Sequence, residues 1–309
     1  RVPGNPQFPR DHARSLMRAF FLKLSFHLFA ALPLPVAHAL GAALGWLLIL
    51  VPNRRRRTAE TNLQLCFPEM SRGARRRLLR RNLIELGKSF TEIGALWTRG
   101  EKNMRRLARR VSGEDKLKKA IQRGQGLLLA MPHLGAWEMV NLYCSMHYPL
   151  TTMYRAPPMS QMGLLMRKAR ERFNARLVSA DNTGLRAMYK ALERGEMVAI
   201  LPDQVPSARG GSVFAPFFGI PASTMVLLSR LAIKTGAPVV FACAERLPHG
   251  RGYHLHFVPA PAEISHGSLE SSATAVNTMV EKCARATPEQ YQWVYKRFRV
   301  RPAGEKAFY

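Results

Sequence analysis

The sequence predicts an α/β fold: a mixed, mainly parallel sheet flanked by helices, with an N-terminal membrane helix ahead of it. Three observations carry this. From Ser112 onward, short apolar runs alternate with amphipathic stretches of helical length. Some of the runs, such as residues 126–129 and 238–245, are nearly continuous in apolar residues, as buried strands are. Residues 24–51 contain no Asp, Glu, Lys or Arg.

Taken in order, residues 1–10 (RVPGNPQFPR) are a Pro-rich lead-in. Residues 13–32 are strongly apolar apart from Arg18 and Lys23, which are placed to snorkel to an interface, and are long enough to cross a bilayer or enter it deeply. Pro33 and Pro35 break that helix. Residues 36–51 make about four further turns, rich in Ala and Gly, suited either to the membrane or to packing on the domain. The competing reading is a pair of buried core helices. A cleaved signal peptide is excluded, because the run is too long and no small-residue site precedes the basic cluster. Asn53 and Arg54–Arg57 follow directly, as the positive-inside rule expects of a cytoplasmic end. The division expected is an anchor and adjoining helix over 1–52 and an α/β domain over 53–309.

The chain carries 47 Lys+Arg against 20 Asp+Glu, a formal net charge of +27, which calls for an anionic partner. The excess concentrates in residues 54–110, where 17 basic less 5 acidic residues leave +12. Leu78, Leu79, Leu83, Leu86 and Phe90 recur there at helical spacing. Singly, these arginines read as a solvated helix face. As a group they fit a surface apposed to anionic headgroups. A nucleic-acid reading finds few aromatics to stack bases and no zinc, helix-turn-helix or RNP-type motif. Four cysteines without a CxxC pair (Cys66, Cys144, Cys243, Cys283) read as buried apolar residues in a reducing compartment, not as disulfides or metal ligands.

Within the α/β part the expected elements are a helix over 114–123 stopped by Gly124, a strand over 126–130, a helix over 136–147 and a strand over 150–154. A helix over 160–173, a strand over 176–179, a helix over 184–193 and a strand over 197–201 follow. Residues 212–218 are extended, 222–235 helical, 238–245 and 253–259 strands, and 269–285 the final helix.

The chemistry-bearing residues sit at the ends of these strands, where α/β folds place ligands. His133 follows the run 126–130, and Glu138 lies five positions on. A Glu accepting one imidazole N–H fixes the tautomer and leaves the other nitrogen as a general base. A lone His is more often structural; Pro132, Gly135 and the strand end are what favour function here. Arg155 closes the next strand and suits a phosphate or carboxylate; Arg170, on the helix after it, is a second candidate. Asp203 and Gln204 end another strand and can enter the same crevice. Gly210-Gly211 lacks the Lys-Ser/Thr ending of a P-loop, and no GxSxG elbow or HExxH helix is present. Phe214, Phe217 and Phe218 are core candidates able to line an acyl channel.

With these residues in view, HLGAWE (133–138) resembles the HxxxxD/E signature of the glycerolipid and lysophospholipid acyltransferases. NLQLCFPEMS (62–71), YRAP (154–157), PDQ with SVFAPFFG (202–219) and TPEQYQWVYKRFRVRP (287–302) narrow the resemblance to the bacterial late acyltransferases of lipid A biosynthesis, the lauroyl/myristoyl transferases. The resemblance implies a single acyltransferase domain at the cytoplasmic face of the inner membrane. It implies an acyl-acyl carrier protein as donor, through its phosphopantetheine thioester, and the free hydroxyl of a 3-hydroxyacyl chain on a Kdo-modified lipid IVA-type glycolipid as acceptor. His133 would be the base, Glu138 its partner, and Arg155, Arg170, Asp203 and Gln204 substrate-binding. No metal or further cofactor is implied. Two alternatives stand beside it: an acyl-CoA-dependent acyltransferase acting on another membrane lipid, and a non-catalytic basic protein binding membrane or nucleic acid.

Overall fold

In the computed structural model, residues 28–154, 161–206 and 211–309 are described. Residues 28–31 are helical; the rest of the expected membrane helix and Arg155 lie outside the described residues. Four helices come first: α1 (Leu34–Leu50), α2 (Arg54–Cys66), α3 (Arg72–Thr98) and α4 (Glu101–Leu107). Local chemistry sets the starts of two. Asn53 accepts the Arg56 N–H at 2.9 Å and Ser71 the Ala74 N–H at 3.2 Å, capping α2 and α3. Among the described residues no single helix is long and apolar enough to cross a membrane; α1 and α2 together meet that length but are bent by 82°.

Helix α1 packs along α3 through glycines. A Cβ on Gly41 would lie 2.5 Å from Lys88 Cα, one on Gly45 2.4 Å from Ile84 Cα, and one on Gly87 2.0 Å from the Gly41 carbonyl. Small residues at these positions let the two backbones approach this closely. The opposite face of α1, with Leu40, Leu44, Leu47 and Leu50, is exposed.

The α/β part contains β1 (Ala108–Ser112), α5 (Glu114–Ile121), β2 (Leu127–Ala130), α6 (Trp137–His147), β3 (Leu150–Tyr154), α7 (Gln161–Arg170), β4 (Ala175–Ser179), α8 (Asn182–Glu193) and β5 (Met197–Ile200). It continues with β6 (Ser212–Phe217), β7 (Ile220–Met225), α9 (Leu227–Thr235), β8 (Val239–Arg246), β9 (Tyr253–Pro259), α10 (Glu263–His266) and α11 (Leu269–Ala286). Seven strands form one sheet in the order β1-β9-β8-β2-β5-β3-β4, and β6–β7 form a separate hairpin. Every pairing in the large sheet is parallel except β8–β9. The α/β class and the mixed, mainly parallel sheet thus agree with the sequence reading.

Two elements differ from it. Residues 108–110, the end of the basic stretch 54–110, belong to edge strand β1: its arginines are exposed, and only parallel pairing with β9 makes it a strand. Residues 222–225, read as helix, belong to β7, whose partner β6 supplies the hydrogen bonds; α9 starts later.

The core alternates with the strand period of two. Leu128, Ala130, Val198 and Ile200 face one layer with Leu63, Leu83, Leu228 and Val280. Leu127, Leu129, Met197 and Ala199 face the other with Leu117, Met139 and Val140. Central strands β2 and β5 are buried on both faces, as parallel strands require. The C-terminal segment folds back over their ends: Asn62 donates to the carbonyls of Trp293 and Tyr295, and Asn82 to those of Glu289 and Tyr291.

The glycine contact between α1 and α3 is testable. Gly87→Val should lower the unfolding free energy by about 3 kcal/mol, since neither backbone can yield. Gly73→Ala, where the added carbon meets nothing closer than 3.6 Å, should leave it unchanged or higher. Denaturant titration of the two variants in one detergent compares them.

Candidate active site

The register of two adjacent parallel strands assembles the site. Ala130 on β2 pairs with Ile200 on β5; three residues further along each chain stand His133 and Asp203. The Asp203 carboxylate takes two bonds from the one residue, the His133 backbone N–H at 2.9 Å and Nδ1 at 2.7 Å. With Nδ1 protonated toward Asp203, Nε2 carries the lone pair, and it accepts from Gln204 Nε2 at 3.2 Å. Gln204 also donates to Gln292 Oε1 at 3.1 Å. Burial pushes the Asp203 carboxyl up, but the charge and hydrogen bonds of His133 outweigh it, and the group sits below the ordinary carboxylate range. With Nδ1–H bound to Asp203, the orientation of the imidazole is fixed and Nε2 faces the cavity.

Glu138 does not take the imidazole N–H, which corrects the sequence reading. Its carboxylate binds Arg170, Oε1 receiving Nη2 at 2.5 Å and Nε at 3.0 Å. Helix geometry is the reason. Gly135, at φ +59°, turns the chain so that α6 begins at Trp137, and the Trp137 ring meets the His133 ring edge-on at 5.5 Å. Glu138 is the next residue, about 100° further round the helix, and points toward α7. Arg170 there also lies over the Trp137 and Tyr154 rings, at 5.0 and 5.8 Å. Of the residues expected at the site, His133, Asp203 and Gln204 are in direct contact, Glu138 and Arg170 form a second pair beside them, and Arg155 lies outside the described residues.

A buried network fixes the loop that carries His133. Arg246 Nη2 donates to the Gly135 carbonyl at 2.9 Å and to Ser89 Oγ at 2.7 Å, and its guanidinium is paired with Glu92 at 2.6 Å. His38 of α1 and the Tyr253 hydroxyl bond the same carboxylate, both at 3.0 Å. A side chain cannot replace Gly135, because a Cβ would meet the Ala244 carbonyl at 2.0 Å. The Gly135 N–H donates to the Gln290 carbonyl, and the Gln292 N–H to the His133 carbonyl.

Two cavities meet at His133 and Trp137. A small one of about 90 Å³ mixes polar side chains (Glu85, Arg246, Gln292) with apolar ones (Leu86, Ile93, Leu96). A larger, mostly apolar one of about 640 Å³ is lined by Met153, Met166, Leu177, Val205, Met225 and Leu227, with Arg170 and Gln204 near His133. Among the described residues, the Asn141 side-chain nitrogen and the Tyr154 hydroxyl, both buried and lining the larger cavity, have no hydrogen-bond partner. Sequence reasoning missed Trp137, Arg246 and Gln292. PEQYQW was visible as a motif, but nothing in its spacing told that it folds onto the His133 loop. Arg246, at the end of a strand, carried no signal.

Burial pushes the Glu92 carboxyl up, but Arg246 and His38 more than offset it and bring it down to about 2. Its contribution to stability is therefore complete above about pH 4.5, the ordinary value, and is lost as pH falls toward 2. Glu92→Gln should flatten that acid limb, and at pH 7 it should cost about 3–5 kcal/mol by leaving Arg246 unpaired. Urea titrations across that pH range compare it with the wild type.

Comparison with known proteins gives a consistent result. The bacterial lipid A biosynthesis acyltransferase family matches residues 9–300. A lipid A biosynthesis lauroyltransferase of Escherichia coli K12 is 34% identical over 285 residues, 91% of each chain. A palmitoleoyltransferase of the same pathway and strain is 32% identical over 91% of each chain. A myristoyltransferase is 25% identical, over 81% of this chain and 77% of its own.

Proposed function

The chain belongs to the bacterial lipid A biosynthesis acyltransferase family, an acyltransferase therefore, and from that premise we propose that it moves a fatty acyl chain from acyl-acyl carrier protein to the hydroxyl of a 3-hydroxyacyl chain on a Kdo-modified lipid IVA-type precursor, with His133 as general base. The observation that carries the base assignment is the His133–Asp203 pair at the mouth of a cavity large enough for an acyl chain. Its volume of about 640 Å³ falls within the range of about 300–1,000 Å³ usual for small-molecule sites.

In the reaction proposed, the acceptor hydroxyl takes the place of the Gln204 amide at His133 Nε2. Its proton passes to Nε2 as its oxygen forms a bond to the thioester carbonyl carbon. The tetrahedral intermediate collapses with cleavage of the C–S bond. The thiolate takes the proton from the imidazolium, leaving an ester, a free thiol and His133 in its starting form. Asp203 holds the Nδ1–H and stabilises the imidazolium while it exists. The developing oxyanion requires donors. Arg170, the freed Gln204 amide and the unpartnered Asn141 amide nitrogen supply N–H groups in this cavity. Glu138 keeps Arg170 in place.

The partner assignments rest on surface chemistry. The exposed apolar face of α1, followed by Arg54–Arg57, suits insertion beside anionic headgroups at the cytoplasmic side of the inner membrane. The basic excess over residues 54–110 complements both a phosphorylated glycolipid and an acidic carrier protein.

Three measurements test this reading. Purified enzyme, given acyl-carrier-protein and CoA thioesters in parallel, should acylate the phosphorylated glycolipid from the former. His133→Ala should abolish transfer with the fold intact by circular dichroism, and near-normal turnover would sink the proposal. Asp203→Asn should reduce kcat about 10³–10⁴-fold by fixing the wrong tautomer, whereas Glu138→Gln, which leaves the imidazole bonded to Asp203, should reduce it far less.

A further inference from the structure

Away from His133, on the part of the sheet where β8, β9 and β1 meet, three ligand-bearing side chains converge. His254 and His256 are two apart on β9, so strand alternation puts both on one face. Glu245 on β8 is the register partner of His254. Its Oε2 lies 3.2 Å from His256 Nε2 and 3.9 Å from His254 Nδ1, and the three ligand atoms fall within 4.8 Å of one another. Around a tetrahedral zinc ion with bonds of about 2.0–2.1 Å, ligand atoms stand roughly 3.3–3.4 Å apart. One separation already fits, and the other closes with a small rotation of an imidazole.

The other nitrogen of His254 is also assigned. Its Nε2 is 2.8 Å from Ser112 Oγ on β1; with that nitrogen donating to the hydroxyl, Nδ1 faces Glu245 as a ligand. A metal-ligating histidine held by its second nitrogen is the usual arrangement in such centres. The two rings lie 3.9 Å apart between centroids, tilted by 37°. All three residues are partly exposed, which leaves the site open to metal and to water as remaining ligands. Arg110, opposite His254 on β1, opposes a cation, but its side chain is exposed and its charge screened by water.

We propose that Glu245, His254 and His256 form a binding site for a divalent transition metal of the zinc type, independent of the acyl-transfer chemistry. Bound metal would join β8 to β9 directly and to β1 through Ser112. Glu245 lies between Ala244, whose carbonyl receives the Ala136 N–H, and Arg246, which holds the Gly135 carbonyl. The metal would therefore brace the strand that supports the His133 loop.

The test uses the full chain without an affinity tag. Chelator-competed zinc titration should show one saturable equivalent, Co²⁺ should give the d–d absorbance of a nitrogen- and oxygen-ligated ion, and Zn²⁺ should raise the Tm. His256→Asn and Glu245→Gln, both surface changes checked for folding by circular dichroism, should each abolish the equivalent and the Tm shift. Ser112→Ala should keep the site but weaken it about 10-fold, through loss of the orienting bond. An absence of saturable uptake by the wild type, or uptake undiminished in His256→Asn and Glu245→Gln, overturns the proposal. Neither result bears on acyl transfer.

Discussion

The structure depends most on the parallel register of β2 and β5. Each strand is only four residues long and wholly buried, so a slip of one residue would reverse both faces of the sheet. That constraint fixes the ends of the strands relative to each other. Since His133 and Asp203 both lie three residues beyond the pair Ala130–Ile200, the register places the imidazole beside its carboxylate. The hydrogen-bond partner of the imidazole is thus set by core packing, and the loops need only be short.

Around that pair, the rest of the chain keeps the His133 loop still. Glu92 and Arg246 are both buried, and each would be costly alone. Together, with His38, Ser89 and Tyr253, they satisfy one another and leave one guanidinium N–H for the Gly135 carbonyl. The network reaches α1, the helix with the exposed apolar face, so that helix and the loop that carries His133 are joined through one set of hydrogen bonds. The C-terminal segment closes it from the other side, held by Asn62 and Asn82 and returning hydrogen bonds to His133 and Gly135. NLQLCFPEMS and PEQYQWVYKRF, distant in sequence, are two halves of that contact.

The separation of Glu138 from His133 also bears on how the site is organised. Two acidic residues serve two partners: Asp203 the imidazole N–H, Glu138 the arginine. Trp137 stands between them, touching both His133 and Arg170. Each carboxylate is occupied by its own partner, so neither competes for the other's. The lysine- and arginine-rich surface is left to act outward.

Much of this was legible in the sequence. Apolar runs, glycine stops and helical periodicity gave the α/β class, most of the elements in order, and the strand ends that carry His133, Asp203 and Gln204, because these follow from local propensity and the need to bury one face of each element. What the sequence could not decide was pairing across the sheet. Edge strand β1 and the start of β7 exist only because β9 and β6 lie beside them. Whether His133 takes Asp203 or Glu138 depends on register and on a turn at Gly135. Proximity in sequence favoured the carboxylate five residues away; tertiary packing chose the one seventy residues away, because a rigid helix carries Glu138 off toward Arg170 while two locked parallel strands end side by side.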